Sequence, residues 1–272
     1  MNSLTLKSGL FLILNLVAPH AFASLPALSF AVKPPVHSRR PLPSKPLALI
    51  YKGLGSCSKD QDDAGDSGFG CSEASAVVAR LAGFQYKYVG PNDSPDFSKA
   101  KVWIQPGGIS NVAYDTMSDK LKENLIGFIA KGGGYVGFCA GAFIATEVIG
   151  GTGEPGLGIF PGSTAPYDYD SARDDVGYGF LPIKWNGKSH KVYFEGGPYL
   201  YGQKDNAQIT GYFADGSAVS GKAQYGKGRV YVTGAHPEAP PIWSREDKIR
   251  DPDGSDYPLA VEMIRWSAGL IK

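Results

Sequence analysis

The chain is poor in the residues that build metal sites and cross-linked scaffolds. Its 272 residues include only 3 cysteines and 4 histidines. The histidines show no zinc-ligand spacing, so a structural zinc site is not expected. The acidic stretches "DQDDAGDSG" and "YDYDSARDD" have neither the terminal glutamate of an EF-hand loop nor a glycine-aspartate nonapeptide repeat, and they read as solvated loops. Excess charge is also missing. There are 27 Lys and Arg against 26 Asp and Glu, which gives no case for a nucleic acid or an anionic membrane as partner. After the first residues no stretch approaches the roughly 18 apolar residues of a spanning helix, and no repeat of fixed period is present.

What is there begins with a leader. Lys7 precedes the apolar run "LFLILNLVA", and Ala21 and Ala23 provide small residues after it. This pattern predicts a secretory signal peptide over residues 1–23, cleaved after Ala23, and an exported protein, periplasmic or secreted. Residues 24–46 contain "KPPVHSRRPLPSKP", without apolar periodicity, and read as a proline-rich linker or arm. One domain is expected over residues 47–272, a length able to bury a substantial core.

Within it, "LALIYKG", "FQYKYVG", "KVWIQPGG" and "YVGFC" read as strands alternating with helices. One helix covers "CSEASAVVARLAG", another "SDKLKENLIGFIAKGGG" with Leu121, Leu125, Phe128 and Ile129 on one face, and a third "AGAFIATEVIG". The alternation predicts an α/β fold, a parallel sheet flanked by helices. The C-terminal half adds antiparallel strands. A hairpin turns at Asn186-Gly187, and three further strands turn at Asp215-Gly216 and at "YGKGR". The segment "DYPLAVEMIRWSAGLI" reads as a closing helix.

Export makes a disulfide permissible. Cys57 and Cys71 enclose a polar loop and are natural partners; closing a loop of about 15 residues contributes roughly 3 kcal/mol. Three reduced cysteines remain the alternative, because pairing cannot be read from spacing. On the first view Cys139 is left single. It lies where the fourth strand meets a helix, between Gly137 and Gly141. A sharp strand-to-helix turn strains a nucleophile's backbone and leaves no room for neighbouring side chains, so this is the cysteine counterpart of a serine elbow. A helix N-terminus favours the thiolate.

A nucleophile needs a base, and the base an orienter. His37 lies in the proline-rich arm and His190 beside lysines in a hairpin, expected exposed. His236 follows the strand "RVYVTGA" and precedes Pro237 and Glu238. If that stretch is extended, His236 and Glu238 point the same way and the carboxylate can fix the imidazole tautomer. A solvated strand-end carboxylate is the alternative role for Glu238. Backbone N–H groups of Gly107, Gly108 and Ala140 are the candidate oxyanion hole. The segment "YFEGGPYLYG" makes Glu195, Gly196 and Gly197 pocket candidates. Glu195 could contact a substrate amine, tune the thiol or simply end a hairpin, and Tyr193, Tyr199 and Tyr201 could form a wall or pack in the core.

The stretches "VWIQPGG", "GGGYVGFCAGAF", "VYFEGG" and "GKGRVYVTGAHPE", in this order, resemble the class I glutamine amidotransferase-like superfamily. Within it they resemble the N-terminal domain of eukaryotic-type biotin–protein ligases, which also occurs as stand-alone bacterial proteins. The resemblance runs from about residue 47 to the closing helix, most of the domain. It implies a flavodoxin-like fold and a Cys139–His236–Glu238 triad. Where glutaminases of the superfamily commonly carry a histidine-glutamine pair after the elbow, this sequence has Ala142 and Phe143. A synthetase or ligase domain is not expected within these residues, and "GKGR" reads as a hairpin turn rather than a phosphate loop. The resemblance therefore carries a fold and a site rather than amidotransfer or biotin ligation. The expectation is an exported, cofactor-free, cysteine-dependent hydrolase of an amide or ester of a small substrate. Oligomeric state is left open. Two other readings also stay open: a non-catalytic ligand- or partner-binding module, and a redox or stress protein using Cys139.

Overall fold

The computed structural model describes residues 44–57, 69–168, 178–204 and 206–272. The expected leader, the arm up to residue 43, residues 58–68 of the loop between Cys57 and Cys71, and residues 169–177 of the acidic run lie outside them.

An 11-stranded sheet organises the described residues. Its first half is parallel: β2 (Gln85–Val89), β1 (Leu47–Tyr51), β3 (Ala100–Gln105), β4 (Gly134–Phe138) and β11 (Gly228–Thr233), side by side in that order. This is the 2-1-3-4-5 order of a flavodoxin-like fold. Beyond β11 the sheet turns antiparallel through β10 (Ala218–Tyr225), β9 (Ala207–Phe213), β6 (Tyr178–Trp185) and β7 (Lys188–Glu195). Two short strands, β5 (Ser163–Pro166) and β8 (Pro198–Tyr201), pair with each other beside β10.

Side-chain alternation divides the core. On β1, Ala48 and Ile50 face one way and pack with Ala76 and Ala79 of α1 (Cys71–Leu81) and Met263 and Ile264 of α6 (Tyr257–Ser267). Leu49 and Tyr51 face the other way, toward α2 (Ser110–Thr116), α3 (Asp119–Ala130) and α4 (Ala140–Ala145). Of the expected stripe on α3, Leu121, Leu125 and Ile129 are fully buried, each contributing about 1.5–3 kcal/mol, and Phe128 is half-buried against the same core. The Ser118 hydroxyl caps α3 by accepting from the Leu121 N–H at 3.3 Å. At the hairpin between β6 and β7, Asn186 and Gly187 have φ of 47° and 80°, as a type I′ turn requires.

The structure departs from the expected elements in several places. The helix after Cys139 ends at Ala145, well short of Gly150. The carbonyls of Ile144 and Ala145 accept instead from the N–H groups of Leu157 and Ile159, at 2.8 and 2.9 Å, so the ladder has nothing to continue with. The helices α2 and α5 (Pro241–Glu246) and the strands β5 and β8 were not expected from the pattern, because four to seven residues are too few to display a period. Among the described residues no helix is long and apolar enough to cross a membrane.

Parallel register brings three loops together. Gln105 pairs with Gly137, and Phe138 with Thr233. The chain leaving β3, β4 and β11 therefore delivers Gly107–Gly108, Cys139 and His236 to one end of the sheet, where ligands bind in open α/β folds.

Candidate active site

Cys139 occupies the turn between β4 and α4 with φ 46° and ψ −103°. A non-glycine residue in this region is strained by about 1–3 kcal/mol and persists only where its surroundings hold it. The surroundings do so here. The Cys139 N–H donates to the Thr233 carbonyl at 2.9 Å, extending the β11 ladder, and the Cys139 carbonyl accepts from the Ala142 N–H at 2.8 Å. A side chain on Gly137 would strike the Gly141 carbonyl, and one on Gly141 would strike that of Gln105. That is the physical reason for a glycine two residues away on each side. The Cys139 side chain is 5% exposed, and its Sγ–H reaches the Glu195 main-chain carbonyl at 3.5 Å.

His236 follows β11 and is anchored by its N–H, which donates to the Tyr193 carbonyl at 2.8 Å. Its Nδ1 lies 2.9 Å from Glu238 Oε1, and the charge of Cys139 also acts on the imidazole. The expected route to the His-Glu pair is corrected. Residues 236–239 are not extended; the Ala239 N–H donates to the His236 carbonyl at 3.0 Å, closing a turn with Pro237 at its second position, where its fixed φ fits. Burial alone lowers the imidazole's proton affinity. The charges of Glu238 and Cys139, with the hydrogen bond to Glu238, outweigh it and hold the His236 pKa well above the ordinary range.

Gly107 sits against this imidazole. A Cβ there would lie 2.6 Å from His236 Cε1 and 3.1 Å from Cys71 Sγ. Cys71 is joined to Cys57 by a disulfide, with Cα atoms 5.4 Å apart, so this expected pairing is present. Beside it the Ile109 N–H donates to the Gly55 carbonyl at 2.9 Å, tying the Gly107–Gly108 turn to the segment ending in Cys57. Among the described residues the N–H groups of Gly107, Gly108 and Ala140 donate to no protein acceptor.

A cavity of about 520 Å³ opens over these groups, with Cys139, His236, Gly108, Glu195, Gly196 and the disulfide in its wall. Gly197 does not line it; that glycine is needed because a side chain would collide with the Gly234 carbonyl. Tyr193 is part of the wall. Tyr199 instead packs against the core, and Tyr201 is exposed. His190 is half-buried rather than exposed, its Nδ1 3.4 Å from Asp256 Oδ1. It stands outside the cavity wall, and His37 lies outside the described residues. A larger groove of about 770 Å³ around Phe97, Phe128 and Lys131 flanks the opposite ends of β3 and β4 and includes none of the site residues. Among the described residues no group of three or more His, Cys, Asp or Glu could hold a metal ion.

Sequence reasoning missed the contribution of α5. Trp243 packs edge-on against His236 with ring centroids 5.6 Å apart, and its indole N–H donates to the Phe69 carbonyl at 2.7 Å. Asp247 Oδ2 accepts from the Tyr193 hydroxyl at 2.6 Å. The signal was the run "HPEAPPIWSRED", in which paired prolines can open a helix directly after the histidine.

Residues 92–161 match the family model described as biotin-protein ligase, N terminal. This segment contains Gly107, Gly108, Cys139 and Ala140 and ends before His236. A biotin–protein ligase of Schizosaccharomyces pombe is 25% identical over 175 residues, which are 54% of this chain and 28% of that protein; the chain spans little more than a quarter of this relative's length. Among solved structures, a glutamine amidotransferase is similar with a TM-score of 0.56 and 18% identity, over 82% of this chain and 98% of that one. A chain of PurLQS from Thermotoga maritima is similar at a TM-score of 0.50 and 17% identity, over 80% and 98%. The protein has a class I glutamine amidotransferase fold, and one segment of it matches the biotin–protein ligase N-terminal model.

Proposed function

We propose that the protein is an exported cysteine hydrolase that cleaves an amide or ester of a small substrate. The observation that carries this reading is the arrangement at the cavity floor. Cys139 sits on a strained elbow, His236 lines the same cavity, and Glu238 Oε1 lies 2.9 Å from His236 Nδ1. With the proton held on His236, the Cys139 thiolate attacks the substrate carbonyl carbon and forms a C–S bond. The carbonyl oxygen takes the electron pair and rests on N–H groups of Ala140, Gly107 and Gly108. The imidazolium gives its proton to the leaving amine or alcohol, leaving a thioester on Cys139. Water, deprotonated by the now neutral His236, attacks the thioester, releases the acid and restores the thiolate–imidazolium pair. Glu238 holds the imidazole orientation throughout.

Export is part of the proposal. A Cys57–Cys71 disulfide is compatible with an oxidising compartment. The same bond weakens the redox reading, since it leaves Cys139 without a second free thiol to resolve a sulfenic acid. Amidotransfer to an activated acceptor has less support, because Ala142 and Phe143 are buried in the core rather than aimed at the cavity.

A panel of small amides, esters and thioesters tests the reading, with Cys139→Ala and His236→Ala beside the wild type. Turnover should fall by about 10²-fold or more in each variant; the thermal unfolding midpoint should stay close to wild type in Cys139→Ala and fall in His236→Ala, which leaves the buried Glu238 carboxylate unpaired. Hydrolysis that survives Cys139→Ala would overturn it, and a ligand bound equally by both forms without turnover would indicate a binding module.

A further inference from the structure

The wall of the Cys139 cavity opposite the elbow is acidic and aromatic. Glu195 ends β7, and Asp247 follows α5. Both reach the same group: the Tyr193 hydroxyl stands 2.6 Å from Asp247 Oδ2 and 3.4 Å from Glu195 Oε2. One hydroxyl has one proton to donate, so two carboxylates share a single donor. No other described side-chain donor reaches either of them. Burial first, then the charge of Glu195 and the bond to Asp247, push the Tyr193 phenol well above its usual range. Among the described residues lining the cavity there is no lysine or arginine. Its single basic group, His236, is already held by Glu238. The rings of Tyr193 and Trp243, with centroids 5.6 Å apart, add faces that attract cations.

We propose that this cavity selects substrates carrying a positive charge, an ammonium group a few bonds from the carbonyl that Cys139 attacks, with Glu195 and Asp247 as its counter-charges. The position fits. The Glu195 carbonyl is 3.5 Å from Cys139 Sγ, and Glu195, Asp247 and Cys139 line the same cavity. A substrate with its own carboxylate would meet repulsion, since no described cation faces the cavity to receive it. This inference names the substrate class for the hydrolase reading above, and its test does not depend on turnover.

Three methanethiosulfonates differing in charge would be compared on the full protein with its disulfide intact: 2-aminoethyl (cation), methyl (neutral) and 2-sulfonatoethyl (anion). In each the Cys139 thiolate attacks the reagent's sulfenyl sulfur, an S–S bond forms, and methanesulfinate leaves. Rates are normalised to a small free thiol and followed by intact mass. The normalised rate for the cation should exceed that for the anion by about tenfold or more at low salt and converge as ionic strength rises. In the Glu195→Gln/Asp247→Asn double variant, checked for an unchanged unfolding midpoint, the ratio should collapse toward one. Equal rates in the wild type, a ratio unchanged in the double variant, or a thiol that none of the three modifies would each overturn the proposal. A cation preference without hydrolysis of any amide or ester keeps this proposal and removes the preceding one; hydrolysis without charge preference does the reverse.

Discussion

His236 Nδ1 and Glu238 Oε1 are 2.9 Å apart, with the two side chains 3% and 0% exposed. The second oxygen of that carboxylate has no hydrogen-bond partner among the described residues, so its charge acts chiefly on the imidazole. The Glu238→Gln substitution keeps the shape and removes the charge. Turnover should fall by about 10²-fold or more. Stability gives an independent reading. The pKa of His236 is raised in the folded protein, so its contribution is complete below the unfolded value of about 6.5 and is lost as pH rises through the folded value. Thermal unfolding from about pH 6 to about pH 9 should show wild type and Glu238→Gln furthest apart at the acid end; a constant gap would contradict the pairing.

Gly107→Ala places a methyl group 2.6 Å from His236 Cε1 and 3.1 Å from Cys71 Sγ. Neither neighbour can yield, since one is bonded to a buried carboxylate and the other is cross-linked. The expected cost is about 1–3 kcal/mol of stability, with a loss of kcat larger than the change in KM because the imidazole is displaced. Calorimetry and steady-state kinetics measure the two separately.

The disulfide holds one wall of the site. Replacing Cys57 and Cys71 together by serine should lower stability by about 3 kcal/mol. It should also weaken turnover, because Gly55, two residues before Cys57, receives the Ile109 N–H that ties down the Gly107–Gly108 turn. Denaturant unfolding and kcat/KM of the double variant, with and without reductant, check both effects. Reductant should leave the variant unaffected.

Asp256 offers a prediction of opposite sign to Glu238. Burial, then repulsion from Asp253 and Asp251, raises its pKa to about 7. The folded state therefore holds a proton that the unfolded state has released, and stability declines as pH climbs from about 4 to about 7. Asp256→Asn should raise the unfolding midpoint by several degrees at about pH 8 and change it little at about pH 4. Equal effects at both would show that the carboxylate is ionised and held by His190.

The parallel half of the sheet and the elbow were legible because their signals are local. Strands of apolar residues, the α3 stripe, and a cysteine flanked by glycines each lie within about a dozen residues. The Cys57–Cys71 bond was legible as a pairing but not as a wall of the site, since its place beside Gly107 depends on how β1 and β3 dock. The contribution of Trp243 and Asp247 could not be read. They lie on a helix too short to show periodicity, and they meet Tyr193 only because the antiparallel extension carries β7 back to the end of β11. The His236–Glu238 pair was read correctly through the wrong local geometry, because Pro237 is compatible with both an extended segment and a turn.

The central claim is that His236 and Cys139 act as one unit. The most direct measurement is the rate of iodoacetamide labelling of Cys139, from about pH 5 to about pH 10, in the folded wild type and in His236→Ala. The account predicts that at about pH 6 the wild type labels about tenfold or more faster than the variant, with the gap closing above about pH 9, where an ordinary cysteine is already ionised. Superimposable profiles, or a wild-type thiol that labels only after unfolding, would contradict it.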